Sequence, residues 1–204
     1  MGRIKAVIFD YGAVISTPQP KKEIRAMEKL AGVDRERFWE AYWRYRLDYD
    51  TVLTTEEYWR KVFAACGAVW REDLLRQLAD HDARSWTVLD RPMLVFVRLL
   101  KTFGFKVGLL SNMPEDILKE MRRKFPWLQG NLFDSQIFSC DLKKAKPDPA
   151  VFYRSLQELA VEAEETLFID DMAANIEAAR KIGLKTIHYK TFGRFLRNFL
   201  RLLL

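Results

Sequence analysis

The apolar residues of this chain fall into short continuous runs that alternate with stretches of helical spacing. Short runs rich in branched side chains predict buried strands, and spacings of three and four residues predict helices. The runs that predict strands cover residues 4–9, 106–110, 136–139, 166–169 and 185–188. The stretches that predict helices between them cover residues 93–103, 116–125, 149–159 and 173–182. This alternation predicts an α/β fold: a Rossmann-like, three-layer arrangement in which five or six mostly parallel strands lie between helices.

Residues 21–86 interrupt the alternation, because no strand-like run occurs there. Aromatic residues recur with helical spacing at Phe38, Tyr42, Tyr45 and Tyr49, and similar patterns continue to Leu78. We predict a block of roughly four helices inserted after the first strand. Residues 1–16 and 89–204 then form the α/β core domain, and residues 17–88 form a helical-bundle cap.

Composition narrows the class of protein. Of the 204 residues, 49% are hydrophobic and 30% are charged, which suits a folded domain. We find no secretory signal and no apolar run near the roughly 20 residues that a membrane span needs. Cys66 and Cys140 cannot form a disulfide framework, so we expect the reducing cytoplasm.

The net charge of +6 admits two interpretations. It could attract nucleic acid, or it could be an ordinary solvated basic surface. Basic residues are spread along the chain without a recognisable nucleic-acid motif, so we predict the second, with no nucleic-acid partner and no membrane partner.

The stretch from Gly193 to Leu204 combines apolar residues with arginines. We expect a terminal helix that docks on the core or contributes to a dimer, in a monomer or homodimer. Adsorption to an anionic membrane is the alternative.

Polar residues follow the predicted strands at Asp10, Ser111 and Asp170–Asp171, and Lys146 lies in a nearby loop. Parallel strands end at one edge of a sheet, so these groups can meet in one crevice. A carboxylate can attack phosphorus, and carboxylates bind Mg²⁺. Taken singly, each could be an ordinary turn or helix-capping residue. Together they predict phosphoryl transfer, and the presence of only two histidines disfavours a zinc site or a Ser-His-Asp triad.

Four segments carry a family resemblance. They are VIFDYGAVI (residues 7–15), LLSN (109–112), KAKPDP (144–149) and FIDDMAANIEAARKIG (168–183). In this order they resemble the four motifs of the haloacid dehalogenase (HAD) superfamily of hydrolases with a helical cap. The chain is most similar to its bacterial sugar-phosphate phosphatases, such as the α-glucose-1-phosphate phosphatase, and to the phosphatase domain of soluble epoxide hydrolase.

The resemblance implies a Mg²⁺-dependent phosphatase for a small, possibly sugar, phosphorylated metabolite. Asp10 would be the nucleophile, and an aspartyl-phosphate would form on it. Asp10 would also bind Mg²⁺, together with the carbonyl group of Gly12 and with Asp171. Asp170 would bind the ion directly or through water.

The remaining motif residues would hold the phosphoryl group. Ser111 would donate a hydrogen bond to it, and Lys146 would pair with it and with the nucleophile. The backbone N–H groups of Tyr11 and Asn112 would contribute to substrate binding. Asn175 would support the arrangement.

Gly12 departs from the family pattern, since most of these phosphatases have an aspartate there that protonates the leaving group. General acid–base help is typically worth about 10²–10⁴-fold in rate. The alternatives are therefore a phosphomutase, a 2-haloacid dehalogenase, or a non-catalytic module that binds a phosphorylated ligand. The acidic pair Asp170–Asp171 disfavours the dehalogenase, which needs no metal.

The cap offers candidates for recognising the substrate. Most of its aromatic residues are expected to pack between helices. Arg46, with Tyr45 or Tyr42, is predicted to face the crevice and to recognise a sugar or carboxylate group.

Overall fold

Parallel strands form the centre of the molecule. The computed structural model describes residues 3–203 of the chain. The strands are β1 (Ala6–Phe9), β2 (Lys106–Ser111), β3 (Ser135–Phe138), β4 (Thr166–Asp170) and β5 (Lys185–His188). Their order across the sheet is β3-β2-β1-β4-β5, and each neighbouring pair is parallel. The predicted α/β fold is confirmed, with five parallel strands in the described part of the chain.

The helices follow the predicted alternation. They are α1 (Lys21–Ala31), α2 (Arg35–Arg44), α3 (Arg46–Tyr49), α4 (Thr55–Cys66), α5 (Glu72–Ser85), α6 (Arg91–Thr102), α7 (Glu115–Lys124), α8 (Ser139–Leu142), α9 (Pro149–Leu159), α10 (Ala173–Lys181) and α11 (Phe192–Leu203). The inserted block contains α1 to α5 rather than roughly four helices. The extra boundary lies at Tyr45, where φ of −103° and ψ of 4° separate α2 from α3.

The central strands are buried on both faces, which explains their continuous apolar runs. Val7 and Phe9 of β1 point into one hydrophobic cluster, which includes residues of α6, α7 and α11. Ala6 and Ile8 point into the other, which includes residues of α9 and α10. This alternation along one strand produces the three layers.

Helices α1 to α5 have a hydrophobic core of their own. Its largest members are aromatic, and Tyr49 and Tyr58 stack with ring centroids 4.2 Å apart. The chain enters this block after Ser16 and leaves it before Leu89, and these two residues form an isolated antiparallel bridge. The boundaries at residues 17 and 88 stay a prediction, and Met1, Gly2 and Leu204 lie outside the described residues.

Helix α11 packs against the core through an aromatic cluster. Phe195 and Phe199 are buried, and the ring centroid of Phe96 in α6 lies 5.0 Å from each of theirs. The described part of the terminal segment therefore docks on the core. None of the helices between residues 3 and 203 combines the length and apolar character that a membrane-spanning segment requires.

Two phenylalanines of the α6 region give a matched test of this packing. We expect Phe96→Ala to lower the free energy of unfolding by about 3–5 kcal/mol, because it removes a buried ring from a packed cluster. Phe103 is 75% exposed, so Phe103→Ala should change it by no more than about 0.5 kcal/mol. Urea unfolding followed by circular dichroism measures both. Equal effects would mean that α11 does not pack on α6 in solution.

Candidate active site

The polar residues singled out in the sequence meet at the carboxyl edge of the sheet. Asp10 directly follows β1, Ser111 ends β2 and Asp170 ends β4. These three strands are neighbours in the order β2-β1-β4, so their ends lie side by side. Lys146 reaches the same place from the loop that precedes α9. The structure therefore brings together the groups that the sequence predicts to be close.

Lys146 joins the strand ends through three hydrogen bonds. Its Nζ atom donates to Asp10 Oδ1 at 2.6 Å, to Asp170 Oδ2 at 2.8 Å and to the Leu110 carbonyl at 2.9 Å. The residue is only 2% exposed. Burial disfavours the ammonium ion, but the two carboxylates outweigh that effect and hold the pKa of Lys146 above its usual value. The side chain is therefore a cation with all three donors engaged.

Asn112 fixes the loop that carries this lysine. Its side-chain nitrogen donates to the Lys146 carbonyl at 2.9 Å, and its side-chain oxygen accepts from the Lys146 backbone N–H at 2.8 Å. The amide side chain is thus occupied in positioning Lys146. The predicted contribution of Asn112 to substrate binding concerns its backbone N–H group and stays a prediction.

Three carboxylates form a cluster that suits a divalent cation. One oxygen from each of Asp10, Asp170 and Asp171 can be chosen so that the three lie within 4.8 Å of one another. Burial, together with the repulsion of Asp170, raises the pKa of Asp171. Burial raises the pKa of Asp10 to about 7, against the opposing effect of Lys146. A bound cation would relieve this repulsion, so the donor set fits a hard ion such as Mg²⁺.

The three carboxylates are not equivalent. Asp170 Oδ1 accepts from the Met172 backbone N–H at 2.8 Å, and Asp170 Oδ2 accepts from Lys146. The Asn175 side chain donates to both oxygens, at 3.1 and 3.0 Å. Among residues 3–203, by contrast, no side chain donates a hydrogen bond to Asp10 Oδ2 or to the carboxylate of Asp171. The oxygens of Asp10 and Asp171 are therefore the freer ligands, and Asn175 supports Asp170.

Donors for a phosphoryl group lie beside this cluster. The buried Ser111 hydroxyl has only a weak internal acceptor, the Asn112 carbonyl at 3.4 Å. In the described residues, no oxygen accepts a hydrogen bond from the backbone N–H groups of Tyr11 and Gly12. Free N–H groups at such a strand end can bind phosphoryl oxygens. The Tyr11 hydroxyl is occupied elsewhere, since it donates to the Trp86 carbonyl at 2.6 Å.

Trp86 occupies the space beside Gly12. A Cβ atom built on Gly12 would lie 3.4 Å from Cζ3 of the indole and 3.7 Å from Asp10 Oδ2. An alanine would make ordinary contacts. The indole of Trp86 thus lies next to the side of Gly12 from which a side chain would project.

Arg46 belongs to a buried network in the cap. Its Nε atom donates to Asp50 Oδ1 at 2.9 Å, and its Nη1 atom donates to the Tyr42 hydroxyl at 2.5 Å and to Asp82 Oδ2 at 3.3 Å. The guanidinium carbon lies 5.3 Å from the ring centroid of Trp86. In the described chain, Arg46 makes no hydrogen bond to Asp10, Ser111 or Lys146. Its substrate-binding role stays a prediction.

Tyr45 also packs within the cap. Its ring lies against the cap's hydrophobic core, with Lys61 Nζ 5.7 Å from the ring centroid. In residues 3–203, no hydrogen bond joins Tyr45 to the strand-end groups. Its substrate-binding role likewise stays a prediction.

Two members of the arrangement were missed in the sequence. They are Trp86, which follows a helix, and Asp82, which accepts a hydrogen bond from the indole Nε1 at 3.2 Å. No motif marks either residue, because their other partners are distant in the sequence: Tyr11 lies 75 residues from Trp86, and Arg46 lies 36 residues from Asp82.

Comparison with known proteins agrees with the family resemblance of the four sequence motifs. A family model described as a haloacid dehalogenase-like hydrolase matches residues 4–183. The chain is 30% identical over 149 residues to bifunctional epoxide hydrolase 2 of Rattus norvegicus, covering 70% of this chain and 26% of that protein. It therefore spans about a quarter of that relative's length. It is 24% identical to D-ribitol-5-phosphate phosphatase of Bacteroides thetaiotaomicron, with 90% of each chain covered.

A solved structure shares the fold. It is a HAD family enzyme of Bacteroides thetaiotaomicron in complex with magnesium and inorganic phosphate. The TM-score is 0.73 at 21% identity, covering 95% of this chain and 100% of the other.

Binding of Mg²⁺ should depend on pH through Asp10. The metal needs the carboxylate form, so below the pKa of about 7 a proton competes with the ion. We expect the affinity to fall about tenfold for each pH unit below that value and to level off above it. Calorimetric titration of the folded protein at several pH values measures this change. A pH-independent affinity would remove Asp10 from the metal site.

Two Asp→Asn variants test in the same titration whether the carboxylate cluster binds Mg²⁺. Asp171→Asn should weaken Mg²⁺ binding about 10–100-fold, because it removes a charged ligand. Asp80→Asn is the matched control, since Asp80 is exposed on α5 and is distant from Asp171 in the sequence. An unchanged affinity in Asp171→Asn would contradict the assignment.

Proposed function

The chain belongs to the haloacid dehalogenase-like hydrolase family, and on that premise we propose that it is a Mg²⁺-dependent phosphatase. It hydrolyses a phosphate monoester of a small metabolite by way of a phosphoryl group carried on Asp10. One observation carries the proposal: the buried Lys146 ammonium holds Asp10 at the centre of a carboxylate cluster beside free phosphoryl donors.

The two oxygens of Asp10 have different surroundings, which supports a separate task for each. Oδ1 accepts a hydrogen bond from Lys146 and keeps a second lone pair for the metal, so Oδ2 is the oxygen that would attack phosphorus. A bond from Oδ2 to phosphorus forms while the bond to the leaving oxygen breaks, and that oxygen leaves with a proton taken from solvent. Water then attacks the acyl phosphate, which releases inorganic phosphate and restores the carboxylate. Bound Mg²⁺ would offset the charge that gathers on the phosphoryl oxygens.

The donors have matching tasks. The Ser111 hydroxyl and the backbone N–H groups of Tyr11 and Gly12 would donate hydrogen bonds to the phosphoryl oxygens, and the positive charge of Lys146 would attract them from nearby. Asp171 and Asp10 would hold the metal, assisted by the Gly12 carbonyl. Asp170 would act mainly by holding Lys146, since its oxygens already accept hydrogen bonds.

A sugar phosphate is the substrate class we favour. D-ribitol-5-phosphate phosphatase is similar to this chain over 90% of both lengths. Arg46 and Tyr45 remain candidates for recognising the sugar from the cap. A non-catalytic phospho-ligand module is the second candidate, and the lack of an acid at Gly12 is the observation that favours it.

Asp10→Asn is the decisive variant. We expect it to lower Mg²⁺-dependent phosphate release at least about 10³-fold, because an amide cannot form the acyl phosphate. The measurement is phosphate release from a panel of sugar phosphates and an aryl phosphate, with Mg²⁺ and with EDTA. Asp80→Asn should retain full activity. No release from folded wild-type protein would leave the binding module as the function.

The leaving group should govern the rate. Because Gly12 has no side chain, position 12 cannot give the leaving oxygen a proton. We therefore expect activated aryl phosphates to react about 10²–10⁴-fold faster than simple alkyl phosphates in kcat/KM. A series of phosphate esters with graded leaving-group pKa values measures this dependence. Equal rates across the series would show that another group supplies the proton.

A further inference from the structure

Two packed helices of the core expose apolar side chains to solvent. Helix α6 and the turn after it present Val95, Leu99 and Phe103, which are 52%, 48% and 75% exposed. Helix α11 presents Leu200 and Leu202, which are 51% and 38% exposed. The buried faces of both helices are already used against the core, so these residues form a separate outer face.

The ends of the two helices lie together at the amino edge of the sheet. Helix α6 leads into the start of β2, so Phe103 lies at that edge. The Phe105 ring lies 6.4 Å from the ring of Phe199, between centroids, which brings the last turns of α11 to the same place. The catalytic groups lie at the opposite, carboxyl edge.

The charge on these helices has one sign. Neither α6 nor α11 contains an aspartate or a glutamate. Their basic residues are Arg91, Arg98, Lys101, Arg194, Arg197 and Arg201. In residues 3–203, an ion pair is found for one of them, Lys101 with Asp134. The outer face is thus apolar and cationic at once.

The combination of apolar and cationic residues limits which kind of partner the outer face could bind. A second copy of the chain, packed face to face, would bring unpaired arginines against arginines. A nucleic acid would complement the charge but would leave the exposed phenylalanine and leucines without an apolar environment. The interface of an anionic bilayer offers acidic headgroups and acyl chains together, and it takes up basic, apolar helix faces.

We propose that the outer face of α6 and α11 docks on the surface of an anionic membrane. Phe103 and Leu200 enter the headgroup boundary, and Arg194, Arg197 and Arg201 contact acidic lipids. The sequence predicts that this segment docks on the core, and its buried face does so through Phe195 and Phe199, which leaves the opposite face exposed. The candidate active site lies at the carboxyl edge of the sheet and not on this outer face, so a protein docked in this way keeps the site open to solutes.

Co-sedimentation with lipid vesicles tests the proposal. We expect the wild type to bind phosphatidylcholine vesicles that contain phosphatidylserine, and to bind phosphatidylcholine alone far more weakly. Replacing all three arginines of α11 with glutamine should weaken binding about 100-fold, since each basic residue near the surface contributes about fivefold. Phe103→Ser with Leu200→Ser should weaken it at least about tenfold. Added salt should release the protein.

Val69→Ser and Arg76→Gln are the matched controls, because both residues are exposed on the cap. They should leave vesicle binding unchanged, and circular dichroism should show every variant folded. Several outcomes would overturn the proposal: no binding by the folded wild type, equal losses in the controls, or binding to duplex DNA without binding to vesicles. A dimer in light scattering that Phe103→Ser and Leu200→Ser dissociate would assign the face to a second copy.

Discussion

A single buried ammonium group holds the catalytic edge together. Lys146 connects the ends of β1, β2 and β4, because its three protons are donated to Asp10, the Leu110 carbonyl and Asp170. Burying a charge is costly unless it is paired, and here the buried ammonium is paired with two buried carboxylates. The strand order β2-β1-β4 is what brings the three acceptors within reach of one side chain. The fold and the site are therefore stabilised by the same contact.

The same cluster remains electrostatically incomplete. Three carboxylates face one ammonium ion, and burial leaves Asp10 with a pKa of about 7. A divalent cation would bring the charge close to balance and would favour the carboxylate form of Asp10, the form that the proposed function requires. The three carboxylates differ in how they are hydrogen-bonded, and the difference suits a site that binds a cation. Asp170 is saturated by Lys146, Asn175 and the Met172 N–H group, so it maintains the geometry while Asp10 and Asp171 stay free for metal.

The sequence predicts the edge of the sheet far better than the cap. Asp10, Ser111 and Asp170 could be placed together because a strand that ends in a polar residue has only one edge at which to present it. The α2–α3 boundary could not be foreseen, since Tyr45 breaks the helix without glycine or proline. The burial of the Arg46 side chain within the cap could not be foreseen either, because its partner Asp82 lies 36 residues away. Such contacts depend on how the helices pack, which local periodicity does not encode.

The cap is seated on the core by a few buried contacts close to the nucleophile. The Ser139 hydroxyl donates to the Asp50 carbonyl at 2.5 Å and accepts from the Met113 N–H, directly after the Ser111–Asn112 pair. Tyr11, next to Asp10, donates to the Trp86 carbonyl. Arg46 and Asp82 contact the indole itself, and Tyr11 holds the backbone of Trp86, so the ring is kept beside Gly12. Under the proposed function, the leaving group would approach this side of Asp10, so the Trp86 ring would limit its size while Gly12 offers it no proton. The position of Trp86 would then contribute to selectivity together with the residues that bind the substrate.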